Sequence, residues 1–200
     1  MIVVNKTKLF KRYLIYAGVI FLILFLITSC AQSGTGYRKV TLHKPGVIIS
    51  FEYPARWEDP GNTLKDTSSN IDVLLVQYPT SAAATSADIT FQILVSPASA
   101  TLPNAQAGLN YLIKSLPGLG PGFNLLGPSP TLIAGIQGEM VTYSAVFNAS
   151  APLGDAPSIC RNLYFNYQGQ IWVIDVNAHQ DISEQANTDF NHIIQSFKLS

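Results

Sequence analysis

Cys160 and His179 are the closest this 200-residue chain comes to a nucleophile with its base. A cysteine attacks as thiolate, so it needs a neighbouring histidine and surroundings that lower its pKa. The runs Ile159–Tyr167 and Gln170–Ala178 read as the two strands of a hairpin turning at Gln168-Gly169. In a tight turn Cys160 then faces position ~177, short of His179, and nothing in the pattern supplies an oxyanion hole. A buried, inert cysteine is the favoured reading. Asp175 sits between Ile174 and Val176 with Asn177 on its own face, which suggests a polar sheet face more than a buried catalytic acid.

Other candidates are weaker. His43, His179 and His192 show no metal-ligand spacing with one another or with carboxylates, so no metal or cofactor site is expected. His192 follows Asp189 by three residues on the last helix, which reads as a solvated pair. Gly118-Leu119-Gly120-Pro121-Gly122 follows a helix and fails the strand-to-helix context of a phosphate loop. No Gly-x-Ser-x-Gly elbow occurs, and the sequon Asn148-Ala149-Ser150 reads as an ordinary loop. Phe51, Tyr53, Pro54 and Trp57 cluster where a strand ends; a packing corner is favoured over a binding platform. No catalytic residue is assigned.

The elements that must position these residues follow from periodicity. Val47–Tyr53 alternates and stops at Pro54. Ile71–Tyr78 is apolar on both faces, as in a central strand, and pairs with Asp88–Ser96 as a hairpin. Leu102, Ala105, Leu109, Leu112, Ile113 and Leu116 recur at helical spacing, with Pro103 near the start and Pro117-Gly118 at the end. A short strand at Phe123–Leu126 and a long one at Gln137–Phe147 follow. The chain closes on a helix with a capping box at Asp181 and Glu184 and an apolar stripe of Ala186, Phe190, Ile193, Ile194 and Phe197. Strands and helices in this order predict an α+β domain, an antiparallel sheet sandwiched between helices.

The amino-terminal end predicts location. Lys6, Lys8, Lys11 and Arg12 precede an uncharged apolar run, Tyr13–Ile27, and then Thr28, Ser29 and Cys30. This is the pattern of an export signal, and Ile27-Thr28-Ser29-Cys30 resembles the lipobox of bacterial lipoproteins, in which cleavage precedes a diacylated cysteine. The expected organisation is a signal peptide over 1–29, a lipidated flexible tether over 30–45 with a possible short strand at Val40–His43, and a packed domain over 46–200. An uncleaved anchor and an ordinary signal with a chance cysteine are the competing readings; all three export the domain. With lipid on Cys30 the chain would sit on the extracytoplasmic face of a cell membrane, in a periplasm or at the cell exterior.

Without the leader, eight basic residues stand against twelve acidic ones, a formal net charge of −4. That argues against nucleic acid, which needs a clustered basic surface. Cys160 is then the one remaining thiol, so packing rather than a disulfide framework must hold the domain.

Taken in order, Phe51-Glu52-Tyr53-Pro54-Ala55-Arg56-Trp57, Leu132-Ile133-Ala134-Gly135, Ile171-Trp172-Val173-Ile174 and Ile193-Ile194-Gln195-Ser196-Phe197 resemble the PsbP-like family, whose fold is shared with the Ran-binding Mog family of nuclear-import factors. The resemblance spans Gly46 to Leu199 and implies the helix-covered sheet and a tendency to act by docking onto proteins. Its best-known members are extrinsic photosystem II subunits that help retain calcium and chloride; others are bacterial lipoproteins of unassigned role. No functional motif matches residue by residue, so no ion contact transfers. The expected function is a membrane-tethered, non-catalytic protein-binding or assembly module, using the loops Thr80–Ala87, Gly118–Pro130 and Asn148–Pro157 or a sheet face. The alternatives are a small apolar-ligand carrier and a thiol hydrolase using Cys160 and His179.

Overall fold

The structure is a computed structural model and describes residues 36–65, 72–78, 87–119, 123–146 and 157–200. The leader and Cys30 lie outside the described residues, as do 80–86, 120–122 and 148–156 of the three loops expected to carry function; 124–130 of the second loop is strand instead.

The packed unit runs from Gly36 to Ser200. It begins earlier than residue 46, because Tyr37–Lys44, expected as the end of a tether, is strand β1. It pairs along its whole length with β2, Val47–Pro54, and Leu42 opposite Ile49 is buried. Two residues near the carboxyl end, β9 at Lys198–Leu199, complete a three-stranded sheet in the order β1-β2-β9.

The larger sheet has six antiparallel strands in the order β3-β4-β8-β7-β6-β5. They are β3 Asp72–Gln77, β4 Ile89–Pro97, β5 Asn124–Ile133, β6 Ile136–Val146, β7 Pro157–Tyr167 and β8 Gln170–His179. The β7–β8 turn forms as expected: Gln168 and Gly169 both adopt positive φ, 50° and 73°, the pair of values that matches strand twist in a two-residue turn. Ala134-Gly135 does the same between β5 and β6.

Two strands depart from expectation. β3 is an edge strand rather than a central one. It is apolar on both sides because both are covered, with Val73 and Leu75 in the main core and Val76 against Ala87. Its open edge is satisfied locally: Glu58 and Val76 exchange backbone hydrogen bonds of 2.7 and 2.9 Å, and the Leu74 N–H donates to Thr63 Oγ1. The short strand expected at Phe123–Leu126 is the ten-residue β5, the opposite edge, where Pro128 and Pro130 remove two ladder donors.

The first helix, α1, is Ala105–Ser115. It starts after Pro103 because Asn104 is the N-cap, its side chain accepting from the Ala107 N–H at 2.9 Å. The last helix, α2, is Ser183–Ser196. No capping box forms: a 3-10 turn over Gln180–Ile182 leads into the helix, and Ile182 caps it without a side-chain bond. The apolar stripe of α2 is buried as expected, with Phe197 just past the helix end stacked 6.0 Å from Phe51.

Parity along β7 and β8 divides the core. Leu163, Phe165, Trp172, Ile174 and Val176 point to one side, against α2 and the small sheet. Cys160 and Tyr164 point to the other, where Leu116, directly after α1, packs on Tyr143 and Cys160, and the Tyr164 ring lies under Gly108. The expectation of a single sheet with helices alone as cover is therefore corrected: a second sheet shares one side with α2, because β1 and β2 carry the apolar alternation needed to bury there. No helix among the described residues is long and apolar enough to cross a membrane.

Candidate functional site

On the α1 side, the middle of the large sheet is a polar ladder. Asp175 lies opposite Asn162 on β7 and Gln92 on β4. Asn177, two residues on, donates to Asp175 Oδ2 at 3.1 Å and to Thr90 Oγ1 at 3.4 Å, and faces Cys160 in register. Asp175 is 7% exposed, and burial pushes its carboxyl up to about 7, against the partial relief of the Asn177 hydrogen bond. Asp175 Oδ1, Asn162 Oδ1 and His179 Nε2 have no hydrogen-bond partner among the described residues. The expected polar face is there, though Asp175 is more deeply buried than a solvated ladder would require.

Cys160 and His179 do share this side, but do not form a dyad. Cys160 is opposite Asn177 and His179 opposite Ser158, one step further along the pair. The thiol's partner is the Tyr143 hydroxyl on β6. Full burial raises the thiol to about 12, outweighing that hydrogen bond, so the thiolate is disfavoured at neutral pH. The thiol-hydrolase reading fails on this geometry.

The histidines stay apart. His43 is exposed on β1. His192 stacks on Tyr37 at 3.6 Å between ring centroids and meets Glu52 Oε2 at 2.9 Å. The Asp189–His192 pair expected in solvent is corrected: Asp189 is 3% exposed, ion-paired to Arg56, and accepts from the Tyr37 hydroxyl at 3.1 Å. Burial raises its pKa and Arg56 opposes the rise. This link, which ties the end of β2 to α2, was not anticipated, although Arg56 sits inside the aromatic corner motif. Among the described residues, no three His, Cys, Asp or Glu side chains group as a metal site.

The aromatic corner is chiefly a packing corner. Phe51 and Trp57 flank Phe91 at 6.1 and 5.6 Å and are buried with it. Yet Trp57 and Tyr53 also form the floor of an open groove of about 500 Å³. Its walls come from the segment after Trp57, held by the Glu58–Val76 bridge and by Asp59, whose carboxylate accepts from the backbone N–H groups of Thr63 and Leu64 at 2.7 and 2.9 Å. Arg38 and Lys65 stand on the walls, and neither forms an ion pair with another described residue. Asp59, followed four residues later by Thr63, was the one local signal for this turn.

A second, smaller cavity of about 260 Å³ opens between α1 and strands β6 and β7. Gln106, Gln137, Glu139, Tyr164 and Asn166 supply its polar lining, and Ala105 and Leu109 of α1 its apolar wall. The apolar carrier reading placed a cavity between sheet and helix; the cavity found there is smaller than ~300 Å³ and mostly polar.

No protein-family model matches this chain, and no curated protein does. Solved structures do. LpqN of Mycobacterium tuberculosis, involved in cell envelope biogenesis, aligns over 83% of this chain and 92% of its own with a TM-score of 0.55 and 18% identity. Cyanobacterial PsbP (CyanoP) of Synechocystis sp. PCC 6803 aligns over 85% and 98%, with a TM-score of 0.50 and 16% identity. The Ran-binding protein Mog1p of Saccharomyces cerevisiae aligns over 81% and 94%, at 0.51 and 12%. The chain therefore has a PsbP- and Mog1-like α+β fold; at these identities the likeness concerns the fold alone.

Proposed function

We propose that this chain is a lipid-anchored extracytoplasmic lipoprotein that acts as a non-catalytic docking module and holds a protein partner in the groove beside Trp57. The groove carries the reading. It is open, its walls are braced by backbone bonds, and Arg38 and Lys65, which form no ion pair with another described residue, bring positive charge beside a buried aromatic floor, with Glu58 and Asp59 on the same rim. That chemistry suits an acidic or carboxylate-rich segment of another protein. Three further points support it: the lipobox-like Ile27-Thr28-Ser29-Cys30, the whole-unit fold likeness to a Ran-binding protein and to an envelope protein, and the inaccessible thiol of Cys160.

Two measurements test the two halves separately. Intact-mass analysis of the membrane-extracted protein should find a diacylated Cys30 at the amino end, and Cys30→Ala should release the protein from membranes. A leader still attached, or an unmodified start elsewhere, ends the tether reading. A photo-crosslinking residue at the exposed Glu58 should trap one defined partner in native membranes, Arg38→Glu with Lys65→Glu should abolish the adduct, and the same probe at Lys114 on α1 should trap nothing. Equal adducts from both positions, or none from Glu58, end the docking reading.

A further inference from the structure

The cavity under α1 has a chemistry of its own, independent of the tether and of the groove. Its floor is the paired backbone of β6 and β7 at Gly138 and Phe165, whose side-chain positions face the α2 side of the sheet. Asn166 anchors the start of the helix by accepting the Ala105 N–H at 2.8 Å, which holds α1 over this floor. Glu139 lines the cavity opposite Tyr164 in register. Among the described residues its carboxylate forms no ion pair, and no lysine or arginine lines the cavity. Its hydrogen-bond partner is the neutral amide of Gln106, which satisfies its neighbours with the nitrogen turned toward Glu139, donating to Oε2 at 3.1 Å and Oε1 at 2.9 Å.

A carboxylate set beside an apolar wall, with only an amide for company, leaves a negative potential without an internal counter-charge. Water screens it less there than on open surface. The remaining polar groups are two-sided. Burial, with the Asp175 charge adding to it, pushes the Tyr164 phenol up to about 12, so its hydroxyl stays protonated and keeps an acceptor lone pair. The Gln137 amide adds a carbonyl oxygen. An ammonium group has three donors and no acceptor, the complement of this set, whereas an anion would meet the carboxylate. The volume suits a short chain and excludes a drug-sized molecule.

We propose that the cavity between α1 and strands β6–β7 binds a small aliphatic amine, with Glu139 as its counter-charge and the Tyr164 hydroxyl and Gln137 amide as hydrogen-bond partners. The test uses the full chain as extracted from membranes, in detergent at physiological salt, titrated with cadaverine and with the neutral diol of equal length. Calorimetry gives affinity, and amide NMR shifts give position. Cadaverine should bind at least about ten-fold more tightly than the diol, with shifts centred on Gly138 and Leu109. Glu139→Gln should bring that ratio below about three-fold while thermal unfolding stays the same. Gln106→Trp, on the exposed rim, should block the cavity without touching the core. Equal affinity for diamine and diol, a ratio unchanged by Glu139→Gln, or shifts centred away from α1 would overturn the proposal.

Discussion

The two sides of the six-stranded sheet are built from the same strands and differ in kind. On the α2 side, Trp172, Phe165, Phe91, Ile93 and Ile174 meet Phe51 and Phe190 in a continuous apolar layer. On the α1 side, the same strands present Asp175, Asn162, Asn177, Thr90, Tyr164 and Glu139. The first side is closed twice, by a helix and by a second sheet. Among the described residues the second is covered by one eleven-residue helix and keeps a cavity; its unpartnered buried atoms belong to a carboxylate, an amide and an imidazole, whereas those of the first side are the indole N–H groups of Trp57 and Trp172. A side that buries aromatics buys stability; a side that keeps polar atoms under a single helix gives some of it up, which is where ligand chemistry becomes affordable to look for.

The contrast can be broken first where it is strongest. Trp172→Ala removes a fully buried ring, stacked 5.6 Å from Phe165, and should cost about 3–5 kcal/mol in urea unfolding. A loss under about 1 kcal/mol would show that the apolar layer is not the stabilising side.

Next comes Asp175, whose pKa is raised in the folded state. Between the unfolded value near ~3.9 and the folded value of about 7, the native state holds a proton that the unfolded chain has released. Stability from this group is therefore full below pH ~4, falls as pH rises, and is lost above about 7. Asp175→Asn cannot ionise and offers a donor to its register partner Asn162. The variant should be more stable than the parent at pH 8 by about 1–3 kcal/mol and should converge with it near pH 4. Unfolding curves across that range check it; a parent whose stability rises from pH 5 to 8 relative to Asp175→Asn contradicts the sign.

The smallest effect belongs to Cys160. Cys160→Ala removes one buried sulfur and leaves the Tyr143 hydroxyl without its partner, for a loss of about 1 kcal/mol. The native thiol should resist alkylation at pH 8 and react once the chain is unfolded in urea. Rapid labelling of the folded protein would mean that the α1 side opens more readily than its packing implies.

What could be read in advance was whatever depends on neighbours along the chain. Alternation at Val47–Tyr53 and Ile89–Val95, the Gln168-Gly169 turn and the apolar stripe of α2 are local patterns, and each recurs in the structure within a residue or two. The α+β class follows from their order. The Cys160–Asn177 register was legible too, since a two-residue turn leaves no freedom in how its strands align. Partnerships between distant segments were not. Arg56 and Asp189 lie 133 residues apart, and only the docking of α2 on β2 brings them together. β3 carries the apolar pattern of a central strand, yet its edge is closed by Glu58 and Thr63 from a turn with no strand signal. Nothing along the chain marks Glu139 within its strand; α1, laid across β6 and β7, encloses it in a cavity. The sequence alone determined which faces must be buried, because hydrophobic burial acts on each short segment separately. Only the tertiary structure decided which polar groups are trapped with which, because that depends on how already formed elements are stacked.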